Sequence, residues 1–261
     1  MKFKRKYLSI PYAIFLSLFV IVPILLIVFY AFTDANGRLS FEAAGSFFSH
    51  KGNWDVLLVS LFIALQATLL CLLIGFPIAY FLANKKYNKN GVLVMLFIMP
   101  MWINFVLRTT ATRDILFAIG INGGNYPYLA TLIGMVYNYL PFVILPLYTT
   151  MLKLDKSQIE ASADLGANPT QVFFKSIIPQ CIPGIISAIT MTFVPVMSSY
   201  VISDALSEGN IALVGNFIYL NFANNQWNNG SFMAFVLLIL VAFSMFASRG
   251  QKEEENRGGL W

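Results

Sequence analysis

Carboxylates are scarce in this sequence, 12 Asp and Glu among 261 residues, so their positions carry weight. Asp204 and Glu208 lie in SDALSEGN, at the end of a long apolar run. A carboxylate there is costly unless water or a cation faces it, so one chemistry on offer is cation coordination. Asp204 can equally cap or solvate a helix end. Glu160 opens a different stretch, EASADLGANPTQVFFKSIIP from Glu160 to Pro179, which is polar between two apolar runs. A carboxylate at a helix start can satisfy backbone N–H groups and also face a partner's basic residue. Other chemistries lack their residues. The only histidine, His50, stands in a polar loop, which leaves no histidine-based metal site or Ser-His-Asp arrangement within an apolar segment. No G-x-x-x-x-G-K-[S/T] loop is present to hold ATP phosphates, and no cofactor or metal is expected. Cys71 and Cys181 provide no disulfide framework and read as packed thiols.

The Glu160 stretch reads as two short helices joined by a bend. Ser157 is placed as an N-cap with Glu160 three residues on, a reciprocal capping box, and Gly166 tolerates the positive φ that ends such a helix. A second start follows at once: Asn168 as N-cap, Pro169 at the first helical position and Gln171 as the returning partner. Pro179 then closes the segment.

The elements that hold these residues are membrane helices. Hydrophobic residues make up 58% of the chain and charged ones 11%, with a mean hydropathy of +0.71; a soluble domain carries roughly 25% charged residues. The fold class is therefore all-α, a polytopic membrane protein built as a single transmembrane domain over residues 1–261. Six spans are expected, at about 10–32, 56–83, 92–111, 128–152, 182–202 and 231–247, each near the 20 or so residues a bilayer needs. The first follows Lys2, Lys4, Arg5 and Lys6, is longer than a signal-peptide core, and is expected to kink near Pro23. The third contains Pro100 and places Arg108 near the outer surface, where a long side chain can snorkel. The fourth carries Pro141 and Pro146, whose freed carbonyls direct that face into the bundle. The fifth is interrupted by Pro195. Between the fifth and sixth, Ile211 to Leu220 is too short to span and reads as an interfacial or re-entrant helix. Outer loops fall at 33–55 and 112–127, the latter turning at Asn122-Gly123-Gly124-Asn125, and the charged tail from Ser248 to Trp261 reads as mobile.

A formal net charge of +5 does not point to nucleic acid, because the basic residues cluster beside apolar runs. Placing both termini, the Lys85-Lys86-Lys89 turn and the loop at 153–181 on the cytoplasmic side puts 13 of the 17 Lys and Arg there, as the positive-inside bias requires.

Glu160, Ala161, Gly166 and Pro179 fall at the spacing of the EAA loop of bacterial ABC importer membrane subunits, and the stretch resembles that loop. Ser162, Ser176 and Ile178 depart from its usual residues. With YLPFVILPLYTTMLKLDKSQIEASADLGA before and IPGIISAITMTFVPVMSSYVISDALSEGN after, the chain is similar to the B-type permease subunits of spermidine/putrescine importers, most closely from about Tyr137 to Phe222. The resemblance implies a type I importer permease fold in the bacterial inner membrane and a loop that docks on an ATP-binding subunit dimer. It also implies a second homologous permease and an extracellular or periplasmic substrate-binding protein. Polyamines are flexible polycations, so it further implies a route along Asp204 with aromatic faces at Tyr200, Phe193 and Trp102, although such aromatics also populate membrane interfaces. The EAA pattern leaves the cargo open, with an inorganic anion or iron complex as the alternative. An ion-coupled carrier or membrane enzyme is disfavoured by the absence of a duplicated half and of membrane-embedded acid pairs.

Overall fold

In the computed structural model, residues 9–34, 36–84, 88 and 91–258 are described. The N-terminal basic cluster, Lys85, Lys86 and Lys89, and the last three residues of the tail lie outside them. Among the described residues the regular structure is helical apart from one isolated bridge, Thr33 to Leu39. Helices α1 (Ser9–Leu16) and α2 (Val22–Ala31) are joined by a π-helical turn, Ser17–Ile21, just before Pro23, where the sequence predicts the kink. Then come α3 (Glu42–Ser49), α4 (Lys51–Ala83), α5 (Val92–Ile98), a 3-10 turn at Met99–Trp102, α6 (Phe105–Ala118) and α7 (Pro127–Met151). The second half holds α8 (Lys156–Asp164), α9 (Pro169–Val172), a π turn at Phe173–Ile177, α10 (Ile178–Gln180), α11 (Ile182–Ser198), α12 (Val201–Ser207), α13 (Val214–Ala223) and α14 (Trp227–Gly258).

Four stretches are long and apolar enough to cross a membrane, Pro11–Ala31, Lys51–Ala83, Pro127–Met151 and Trp227–Phe246, and two bent helix pairs bring the number to six. The core is α4, α7 and α11. Its α4 face is made of small residues, Ser60, Ala64, Ala67, Thr68, Cys71, Gly75 and Ala79, at helical spacing, while Leu61, Phe62, Leu65, Leu69 and Leu73 point outward. In lipid, small residues at the interface let helices pack closely, because Leu gains nothing by leaving hydrocarbon for a protein core. A Cβ on Gly75 would lie 2.9 Å from Val143 Cγ1, so α4 and α7 meet at a distance only glycine accommodates without a shift. Cys71 and Cys181 are buried free thiols, as read from sequence. A second cluster, Ala31, Phe47, Phe232 and Met233, ties α2 and α3 to α14.

Several expected boundaries move. Helix α4 starts at Lys51, five residues before the predicted span, and α3 occupies part of the first loop. The third span is not one helix: Val92–Trp102 and Phe105–Ala118 meet at 97°. Pro100 removes a helical donor, and the Asn104 side chain caps a new helix by accepting from the Val106 and Leu107 N–H groups at 2.9 and 3.3 Å. Arg108 therefore does not snorkel to a surface. It is 6% exposed and bound to Asn138, near the middle of α7. Pro195 stays within α11, and the break comes after it, at Ser199 and Tyr200. Helix α14 runs from Trp227 through Gly258, so residues 248–258 are helical rather than an irregular tail.

Candidate functional site

The loop between α7 and α11 is a closed structure with a strapped base. At its start the Asp155 side chain caps α8, accepting from the Ser157 N–H at 2.9 Å and the Ser157 hydroxyl at 2.7 Å. These bonds hold the exposed Asp155 carboxyl below its ordinary range, the hydroxyl contributing most. The predicted Ser157–Glu160 capping box does not form: Ser157 lies inside α8 and serves Asp155 instead. At the other end of the loop the Gln180 Oε1 accepts the Asp155 N–H at 3.3 Å, while its Nε2 donates to the Ser176 carbonyl at 3.0 Å.

Helix α8 stops as predicted at Gly166, whose φ is +84°. The Gly166 N–H reaches Ala163 O at 2.9 Å and the Ala167 N–H reaches Ser162 O at 3.3 Å, the paired bonds of a Schellman ending. Two residues on, the second capping box forms as read from sequence, with Asn168 Oδ1 accepting from Gln171 N at 2.8 Å and Gln171 Oε1 accepting from Asn168 N at 3.1 Å. Pro179 lies exposed within α10, and the chain turns by 66° into α11 after Gln180.

The two halves of the loop differ in how they are held. The second is anchored: Val172 and Ile177 are buried, and Phe173 packs edge-on against Phe76 and Tyr80 of α4 at 5.6 and 6.0 Å. The first projects. Glu160 and Ala161 are exposed, and Leu165 is 89% exposed, a large apolar side chain outside every candidate span. Glu160 also rims a cleft of about 270 Å³ walled by Tyr80, Met151, Leu154 and Ile159. Glu160, Ala161 and Gly166 thus share one exposed turn and its end, and Leu165 joins them. Its type and place just before Gly166 were the available signal in the sequence.

At the far end of the bundle, α12 carries Asp204, exposed in its first turn. Tyr200 stands one turn before it and stacks on Tyr219 of α13, centroids 5.1 Å apart and planes at 7°. Tyr219 was missed, lying in the short apolar run read as an interfacial or re-entrant helix. Phe193 is half-buried against the main core, and Trp102 is 80% exposed at the α5–α6 break. Among the described residues, no hydrogen bond or ring contact joins either to Asp204. The end of α12 is seated on the 122–126 loop: Asn210 donates to the Gly123 carbonyl at 3.1 Å, and a Cβ on Gly123 would stand 2.5 Å from the Ser207 carbonyl carbon.

Spanning helices with two broken members, and a strapped helical loop standing clear of one end, are the features of an ABC importer permease. The fold agrees with solved structures. The chain superimposes with a TM-score of 0.63 on a subunit of a bacterial ABC transporter involved in the import of the acidic polysaccharide alginate, covering 94% of both chains at 16% identity. Against the MetNI methionine ABC transporter the TM-score is 0.56 at 19% identity, covering 75% of this chain and 92% of that one. No family model matches the sequence. Individual relatives do. The Escherichia coli K12 spermidine/putrescine transport system permease protein PotB is 35% identical over 207 residues, 74% of this chain and 75% of that protein. The Haemophilus influenzae protein of the same name is 31% identical over 265 residues, 94% of this chain and 92% of its own. A Mycoplasma genitalium homologue of PotB is 28% identical over 94% of this chain. The chain belongs to the PotB family of transport system permease proteins.

Proposed function

We propose that this protein is the B-type permease subunit of an ATP-driven importer that carries spermidine or putrescine across the bacterial inner membrane. Residues 1–261 form one transmembrane domain, with residues 153–181 as its coupling loop and both termini in the cytoplasm. A separate ATP-binding subunit dimer docks on α8 through Glu160, Ala161 and Gly166, with Pro179 at the turn into α11. A second homologous permease completes the pore, and an external substrate-binding protein delivers the cargo. The observation that carries the docking reading is the exposed turn from Glu160 to Leu165, which presents a carboxylate and an apolar side chain on its surface. A soluble partner that buries Leu165 and pairs with Glu160 gains from both contacts. A stroke of that partner would move α8 and rock the helices attached to it, a rigid-body change between two packed states.

The cargo reading rests on the relatives, since alginate and methionine transporters share the fold. Support within the chain is the exposed Asp204 carboxylate beside the Tyr200–Tyr219 stack, the pairing of charge and aromatic face that suits an alkylammonium. Phe193 and Trp102 are assigned to the same route, away from that stack. The test is radiolabelled polyamine uptake in a strain lacking its own importer, with the neighbouring subunits co-expressed. Uptake should fall at least tenfold for Glu160→Lys combined with Leu165→Asp, with normal membrane insertion, and should fall for Asp204→Asn without loss of assembly. Full uptake by the first variant removes the docking role, and full uptake by the second removes Asp204 from the route.

A further inference from the structure

Arg108 is a buried cation for which the described chain supplies no anion. Its Nε–H donates to Asn138 Oδ1 at 2.7 Å, one Nη1–H to the Pro100 carbonyl at 2.7 Å and one Nη2–H to the Asn138 carbonyl at 3.4 Å. These use three of the five N–H donors a guanidinium carries and leave two. The rings of Phe105 and Tyr137 lie 5.9 and 6.0 Å from its central carbon. Every partner is neutral. The one ion pair among the described residues, Arg113 with Asp114, is elsewhere on α6. Arg108 is also the only charged residue in the wall of a groove of about 470 Å³ that runs along α6 and α7, past Ile103, Leu107, Ile115, Ile133 and Tyr137. Leu107 and Ile115 are 66% and 65% exposed along it.

Depth decides what can fill the groove. Asn138 lies within α7, whose ends are Pro127 and Met151; at 1.5 Å per residue it is about 16 Å from one end and about 20 Å from the other. The hydrocarbon half-thickness of a bilayer is about 15 Å, so lipid phosphates sit a whole leaflet away and acyl chains carry no charge to offer. A polycationic cargo is repelled by Arg108, which sets this groove off the transport route. What remains at that depth is a carboxylate carried on another apolar helix, and intramembrane charges characteristically pair in that way.

We propose that the groove seats a spanning helix of the second permease subunit, and that an Asp or Glu on that helix pairs with Arg108. The elbow between α5 and α6 is then part of the subunit interface, since Arg108 donates to the Pro100 carbonyl, which also accepts the Ile103 N–H at the break. The inference rests on the reading of the chain as one of two permeases.

The test uses the assembled importer in native membranes, with Cys71 and Cys181 replaced by alanine. Single cysteines at Leu107 or Ile115 are oxidatively cross-linked against cysteines scanned along the partner permease, with Phe243, 74% exposed on α14, as control. Leu107→Cys and Ile115→Cys should give the heterodimer at partner positions within a turn of an acidic residue, and Phe243→Cys should not. Arg108→Glu should lower heterodimer recovery at least tenfold, and replacing that partner carboxylate by lysine should restore it. Absence of cross-linking from both groove positions in a complex that assembles leaves the groove to lipid and overturns the proposal. So does Arg108→Gln with undiminished heterodimer. Cross-linking without polyamine uptake would refute the cargo reading and leave this contact standing, whereas failure of the two permeases to co-purify refutes both.

Discussion

Gly166 shows how one residue shapes the proposed coupling loop. Its φ of +84° lies in the left-handed region, and open space surrounds the position, so the constraint is backbone conformation and not packing. A β-branched residue there pays the left-handed cost of about 1–2 kcal/mol. Gly166→Val should therefore lower ATPase-coupled uptake severalfold, while Gly166→Asn, which tolerates that conformation, should retain most of it; vesicle transport assays compare the two. Asp155 makes a second prediction. Its carboxyl is depressed in the folded loop, so its capping stabilisation is fully present above the ordinary carboxylate pKa and is lost as pH falls through the lower, folded value. The Ser157 amide chemical shift should stay constant through mildly acidic pH and change only below the usual carboxylate range. Asp155→Asn should abolish that step. The sequence analysis named only Ser157 as the cap and missed Asp155, two residues earlier. Spacing to Glu160 favoured Ser157, but the stronger charged acceptor won, and Ser157 became its donor.

Among the elements, legibility followed continuity. Helices α4 and α7 are long runs with no competing cap, and their predicted spans lie within about five residues of the observed ends. The third span failed because Pro100 and Asn104 act together. Either alone is tolerated in an apolar run, but the proline removes a donor just where the asparagine can start a new helix. Arg108 was misplaced with it, since counting residues along a straight helix carries it toward the surface, whereas the 97° bend turns α6 aside and sets Arg108 against Asn138. The Asn122-Gly123-Gly124-Asn125 cluster was read as turn chemistry, and its second role, letting α12 approach, needs the tertiary structure. That role gives a paired prediction. Gly123→Ala drives a methyl into Ser207 backbone and should cost about 1–3 kcal/mol of stability. Gly52→Ala, with nothing within 4 Å, should be neutral or slightly stabilising. Thermal melts in detergent should separate the two by several degrees.

For the molecule as a whole, the 58% hydrophobic and 11% charged residues made membrane residence plain from composition, and the charged segment after Ala247 continued as helix because its Gln, Lys, Glu and Arg are strong helix formers. Cargo was not legible in the fold at all. The proposed division of labour makes a final prediction: purified alone, the chain should release no phosphate from ATP, and hydrolysis should appear only when the ATP-binding subunits are added, as a phosphate-release assay will show. Turnover by the isolated chain would contradict a partner-driven machine.

The bond from Asp155 to Gln180 has a mechanical corollary. Asp155 follows α7 and Gln180 precedes α11, so this bond resists the loop opening like a noose and shares a force applied to α8 between two walls of the bundle. Cutting that tie, as in Gln180→Ala, would let one wall lag the other, turning a synchronous stroke into slack.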